Sequence, residues 1–152
     1  MKNQSGGFKM DLKEWQNIAG YVERGIGIDV GCGDFKIDKK NIIAIDIENP
    51  KADIIADWEK GVSDNKVDFV LMTYSLCFAV NPVNWIKKAV EVLKPGGRLI
   101  ITEGYQKIGR HIWHHNEMEG FLKLFDKWLT IDIKQNTGND KSYQFILIRK
   151  GV

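Results

Sequence analysis

The stretch Ile26-Gly27-Ile28-Asp29-Val30-Gly31-Cys32-Gly33-Asp34 constrains the fold of this chain more than any other. A β-rich apolar run ends in an acidic residue and then turns sharply through Gly-x-Gly. Gly31 and Gly33 can adopt backbone angles closed to other residues, and without side chains they let a ligand approach the main chain. The turn reads as the lip of a nucleotide pocket, with a plain tight turn as the simpler alternative. Ile42-Ile43-Ala44-Ile45-Asp46 repeats the pattern, a second buried strand ending on a carboxylate.

The rest of the chain extends that beginning into an α/β alternation. Before the first strand, Asp11 and Glu14 form a capping-box-like start, and Trp15, Ile18, Ala19 and Val22 recur at helical spacing. Strands are predicted at 27–30, 42–47, 53–56 and 67–72. A helix then covers 85–93 and stops at Lys94-Pro95-Gly96-Gly97, which turns the chain into a fifth strand at 98–102. Asn116 and Glu119 suggest another helix start, followed by Met118, Phe121, Leu122 and Phe125 on one face. Two last β-rich runs, 129–133 and 143–148, flank Asn136-Thr137-Gly138-Asn139-Asp140 and read as an antiparallel hairpin. Strands alternating with helices predict a parallel sheet covered on both faces, with an antiparallel strand at or near one edge.

Composition sets modest bounds on the class of protein and its partners. With 43% hydrophobic and 28% charged residues, the 152-residue chain has enough material for one core without staples. A net charge of +2 gives no electrostatic footprint for nucleic acid, so that partner is possible but unsupported. Two cysteines, one of them inside the glycine turn, argue against a disulfide framework and for a reducing compartment. No apolar run reaches the roughly 18 residues of a membrane span, and residues 1–10 lack a signal-peptide core. The cytoplasm is the expected location, with no membrane partner.

In open α/β sheets, ligands bind at the carboxyl ends of the strands where the strand order reverses. Asp29, Gly31, Gly33, Asp46, Asp57, Thr73 and Tyr74 all fall at or just beyond predicted strand ends. Asp46 can accept hydrogen bonds from vicinal ribose hydroxyls. Asp57 offers an acceptor for an exocyclic amine, and Trp58 beside it either presents an aromatic surface or packs in the core. A dinucleotide turn would require glycine at position 36, which is Lys36.

Five segments in register carry a resemblance: Asp-Val-Gly-Cys-Gly at 29–33, Ala-Ile-Asp-Ile at 44–47, Ala-Asp-Trp at 56–58, Val-Asp-Phe-Val at 67–70 and Val-Leu-Lys-Pro-Gly-Gly-Arg-Leu-Ile-Ile at 92–101. The chain is similar to class I S-adenosylmethionine-dependent methyltransferases of the small, methyltransferase-11-like type. That resemblance implies a doubly wound, three-layer α/β/α fold around a mostly parallel seven-stranded sheet, order 3-2-1-4-5-7-6 with strand 7 antiparallel. It implies S-adenosylmethionine as cofactor and S-adenosylhomocysteine as product. The cofactor set carried over comprises Asp29, Gly31, Cys32, Gly33, Asp46, Ile47, Asp57, Trp58, Thr73 and Tyr74. In that set Gly31 and Gly33 line the methionine moiety, Asp46 holds the ribose, Asp57 and Trp58 face adenine, and Thr73 and Tyr74 flank the reacting centre. One domain over 1–152 is expected: an N-terminal helical arm (1–25), a cofactor-binding half (26–104) and an acceptor-side part (105–152).

The chain departs from the family in two places. Phe35 stands where a third glycine is common, and only residues 35–41 separate the turn from the second strand, so the first crossover helix must shrink to a turn or two. After the fourth strand, Tyr74-Ser75-Leu76-Cys77-Phe78 replaces the His-rich segment of many relatives, so no general base transfers. The candidates left are Tyr74, Glu103, Tyr105, His111, His114 and His115. Cys32 and Cys77 read as turn filler and buried apolar residue. The histidine cluster has no third spaced ligand, so no metal is expected and loop histidines are the simpler reading. The acceptor, a small molecule or a macromolecule, is not identified, and a homodimer that completes the site is a possible arrangement. The alternative function is a degenerate cofactor-binding or scaffold protein without turnover.

Overall fold

The structure is a computed structural model that describes residues 12–34, 36–37, 39–61, 66–104, 109–111, 113–136 and 142–151. Its helices are α1 (Leu12–Val22), α2 (Pro82–Val92) and α3 (His115–Lys123), and its strands are β1 (Gly27–Val30), β2 (Ile42–Asp46), β3 (Ile54–Ile55), β4 (Val67–Thr73), β5 (Leu93–Gly104), β6 (Leu129–Asn136) and β7 (Ser142–Arg149). The strands form one sheet in the order β3-β2-β1-β4-β5-β7-β6. Pairing is parallel from β3 through β5, and β7 runs antiparallel to both β5 and β6. The expected fold class and strand order are therefore the observed ones.

Alternation along the strands sorts the core into two layers. Ile28, Val30, Val70, Met72, Leu99 and Ile101 face α2 and α3, where they meet Ile86, Ala89, Met118 and Leu122. Ile42, Phe69, Leu71, Ile100 and Ile146 face the other way and are covered by Ile18 and Val22 of α1. The N-terminal helix is thus part of the core. Burying an aliphatic side chain of this kind contributes about 1.5–3 kcal/mol.

Several boundaries differ from the sequence expectation for local physical reasons. Strand β5 starts at Leu93, because Val67 pairs with Leu93 and Phe69 with Arg98; the register shift lets Lys94-Pro95-Gly96-Gly97 bulge out of a continuous strand. Helix α2 starts earlier than expected, at Pro82, because the Asn81 side chain accepts from Asn84 N at 3.3 Å and proline suits a first helical turn. Helix α3 is capped at His114, whose N–H donates to Glu117 Oε1 at 3.0 Å, so the expected Asn116/Glu119 box lies two residues too late. Strand β3 is reduced to two residues, and β6 and β7 run beyond their expected ends. In the α1 start, Asp11 lies outside the described residues. Glu14, in the first turn of α1, is fully buried. No helix among the described residues is long and apolar enough to cross a membrane.

Candidate active site

The turn after β1 is built by two neighbours on β2. Gly31 and Gly33 have φ of 71° and 56°, in the left-handed region that favours glycine. Gly31 N donates to Ile45 O at 2.8 Å and Cys32 N to the same oxygen at 3.3 Å. Gly33 N donates to Asp46 Oδ2 at 2.9 Å, while Glu48 N and Asn49 N donate to Asp46 Oδ1, both at 3.0 Å. One buried carboxylate thus fixes both the glycine turn and the chain leaving β2. Charge-assisted bonds of this kind are about twice as strong as neutral ones, which offsets the burial of Asp46.

A cleft opens beside this turn, at the carboxyl ends of β1, β2 and β3. Gly31, Asp46, Ile47, Asp57 and Trp58 line it, five of the ten residues expected at the cofactor. Phe78, Ala79 and Val80 also line it, from the end of a 3-10 turn at Leu76–Phe78 and the two residues that follow. Ile47 is 51% exposed and Val80 70% exposed, so the cleft has two apolar walls open to solvent. Trp58 forms the floor: it is buried, and its Nε1 donates to Trp85 O at 3.1 Å. Asp57 Oδ1 accepts from Glu59 N at 3.0 Å and so caps the 3-10 turn Trp58–Lys60.

The other five residues of the expected set lie beside the cleft. Cys32 is buried in the turn, and burial together with the nearby charges of Asp29 and Asp46 pushes its thiol up to about 12. It stays protonated near neutrality and is no nucleophile. Asp29 is 3% exposed and faces α1, and its carboxyl is raised to about 7, first by burial and then by the charge of Asp46. Gly33 sits at the far end of the turn. Thr73 Oγ1 is buried without a hydrogen-bond partner. The Tyr74 hydroxyl donates to Glu14 Oε1 at 2.6 Å, so its ring belongs to the contact with α1.

The candidate bases separate as clearly. Glu103, at the end of β5, is 4% exposed, accepts from Cys77 N at 3.0 Å, and burial raises its carboxyl to about 7. Burial and the Glu103 charge also push the Cys77 thiol up. His111 Nε2 lies 2.9 Å from Ala79 O, which makes that nitrogen the donor, and the ring stacks on Trp113 at 5.2 Å. His114 caps α3, and His115 packs against Tyr143 and Phe145. Tyr105 lies outside the described residues. Sequence reasoning missed Phe78, Ala79 and Val80, for which the only signal was the Asn81-Pro82 helix start just beyond them. It also missed Glu14 as a buried partner.

The residues present fit the cofactor that the resemblance implies. A nucleoside with a ribose diol needs a fixed carboxylate, and Asp46 supplies one at the cleft. A flat base needs apolar walls, which Ile47 and Val80 provide. The main chain at Gly31 is bare enough for close approach. Comparison with known proteins agrees. A family model described as a methyltransferase domain, of the methyltransferase-11 type, matches residues 19–101, more than half of the chain. No curated protein matches the sequence. Among solved structures, a SAM-dependent methyltransferase from Aquifex aeolicus is 16% identical with a TM-score of 0.71, the match covering 91% of this chain and 89% of that one. A SAM-dependent methyltransferase from Thermotoga maritima is 19% identical with a TM-score of 0.70, covering 91% and 89%. The N-methyltransferase NodS from Bradyrhizobium japonicum, in complex with S-adenosyl-L-homocysteine, is 12% identical with a TM-score of 0.61, covering 91% and 88%. At these identities the structural likeness speaks for the fold, and the family match carries the assignment. The chain belongs to the class I S-adenosylmethionine-dependent methyltransferases of the methyltransferase-11 type.

Proposed function

We propose that this methyltransferase holds S-adenosylmethionine in the cleft between Asp46 and Val80 and presents its methyl group to an acceptor above the carboxyl ends of β4 and β5. The observation that carries the reading is the Asp46 carboxylate, tied to Gly33, Glu48 and Asn49 while it lines the cleft. When bound, the cofactor supplies a methyl group for in-line displacement and leaves as S-adenosylhomocysteine. The chain's own task is alignment, which is worth up to about 7–11 kcal/mol in favourable cases. Gly31 and Gly33 would receive the methionine end, Asp46 the ribose, and Ile47, Val80 and Asp57 the adenine. Glu103 is poorly placed as a base, because its oxygens serve the Cys77 region. Among the described residues, nothing lining the cleft supports the alternative of a scaffold that binds without turnover. We place the protein in the cytoplasm, working as one domain, with the acceptor still to be found.

Calorimetric titration with S-adenosylmethionine tests the pocket. Saturable heat is expected from the wild type, with a loss of at least about tenfold in affinity for Asp46→Ala. No heat from the folded wild type, or unchanged affinity in the variant, refutes the assignment. Transfer of a labelled methyl group to separated RNA, DNA, protein and small-molecule fractions then identifies the acceptor class.

A further inference from the structure

The wall formed by Phe78, Ala79 and Val80 has little regular structure of its own. Its internal support is a single 3-10 turn, in which Phe78 N donates to Ser75 O at 2.9 Å and Ala79 N to Leu76 O at 3.0 Å. Its external support converges on the peptide groups of Cys77. Cys77 N donates to Glu103 Oε2 at 3.0 Å, while Cys77 O accepts from Arg110 N at 2.7 Å and His111 N at 3.0 Å. The next two carbonyls are held from the same side, Phe78 O by Arg110 Nε at 3.3 Å and Ala79 O by His111 Nε2 at 2.9 Å. The end of β5 and the segment at 109–111 therefore grip the wall from behind.

Among these supports Glu103 differs in kind. It is a carboxyl group on a central strand, buried on the same face as the apolar Ile101. A carboxyl is costly to bury and is kept only where its oxygens are used. Here they meet the Cys77 N–H, the Cys77 thiol and the Gly104 N–H, all within the protein. Glu103 does not line the cleft, whereas the residues just after Cys77 do.

We propose that Glu103 is a positioning residue for cofactor binding, a strut that fixes the Cys77 amide and through it the wall at Phe78, Ala79 and Val80. This rests on the cofactor site proposed above. What the strut needs is an acceptor oxygen at the right distance, so glutamine can replace glutamate and alanine cannot.

Glu103→Gln and Glu103→Ala, compared with the wild type, test this in two arms. In the ligand-free protein, amide hydrogen exchange at 77–80 should speed up by at least about tenfold in Glu103→Ala and stay near wild type in Glu103→Gln. In calorimetric titrations with S-adenosylmethionine, Glu103→Ala should bind about tenfold more weakly and Glu103→Gln within about threefold. Thermal melts establish that both variants are folded. Unchanged exchange in Glu103→Ala overturns the strut, as does faster exchange with wild-type affinity. Equal damage from glutamine overturns it too, because charge rather than an acceptor oxygen would then be required. A folded wild type that fails to bind S-adenosylmethionine overturns the cofactor site itself. That failure is distinguishable, since the exchange arm needs no ligand.

Discussion

Asp29 stands on β1 just before the glycine turn, and its carboxyl is raised from 3.8 to about 7, chiefly by burial and secondarily by Asp46. The folded chain therefore keeps a proton on Asp29 over a pH range in which the unfolded chain has released it. Where the folded state binds more protons, stability falls as pH rises. The stabilising contribution of a neutral Asp29 is complete below the unfolded value and is lost as pH climbs to about 7. A shift of about 3 units corresponds to a total of about 4 kcal/mol, of which about 2 kcal/mol is lost between about pH 5.5 and about pH 8. Asp29→Asn has no proton to lose, so its stability should decline by about 2 kcal/mol less over that interval. Urea unfolding at the two pH values measures this as a difference of about 1 M in how far the midpoint moves, for a slope of about 2 kcal/mol per molar. Comparing the two slopes cancels any pH-independent effect of the new amide. Glu103, also raised to about 7 by burial, adds a decline of the same sign to both proteins and does not alter the comparison. An equal decline in wild type and variant would refute a neutral, buried Asp29.

Tyr74→Phe removes the hydroxyl that donates to the fully buried Glu14 at 2.6 Å, so a loss of about 1–3 kcal/mol is expected in chemical unfolding. A change below about 0.5 kcal/mol would show that the contact is not stabilising. Trp58→Phe deletes the bond from Nε1 to Trp85 O and should cost about 1–3 kcal/mol while leaving Asp46 and the glycine turn in place. Its melt should therefore fall further than its cofactor affinity. A chain beginning at Ile26 lacks Ile18 and Val22, whose burial alone contributes about 3–6 kcal/mol against a usual total of about 5–15. Such a chain should show no cooperative melt by circular dichroism, and a sharp transition would refute a core role for α1.

Much of this fold can be read from short-range pattern. Apolar runs with carboxylates at their ends, the Gly-x-Gly turn and the terminal hairpin identify a covered, mostly parallel sheet. The strand order is different: it came through the resemblance, because periodicity says which residues share a face and not which strands are neighbours. Asp46 was legible for the same reason as the strands, being the last residue of an apolar run. Phe78, Ala79 and Val80 were not, since a wall built on one short 3-10 turn leaves no period, and its supports lie 26 to 34 residues away at Glu103, Arg110 and His111. Glu14 was legible only as part of a helix start, and its burial was not. Its buried partners, the hydroxyls of Tyr74 and Ser142, lie 60 and 128 residues away, beyond the reach of any local pattern.

The short connection after the glycine turn ties these features together. Among the described residues of 34–41 there is no helix, so the sheet face that includes Ile42, Phe69 and Leu71 is covered by α1 instead. That placement brings Glu14 over the end of β4. There Tyr74 has a φ of 52°, a left-handed conformation that costs a bulky residue roughly 1–2 kcal/mol. It is held by three bonds in or beside it: Tyr74 N to Thr102 O at 2.7 Å, Tyr74 hydroxyl to Glu14 at 2.6 Å, and Ser75 Oγ to Val30 O at 2.8 Å. The last of these reaches the strand that ends in the glycine turn. The strained residue thus redirects the chain from β4 into the 3-10 turn, and that turn delivers the cleft wall. By this route α1, through Glu14 and Tyr74, supports the turn that carries the cleft wall, so the helix that covers this sheet face serves the site as well as the core.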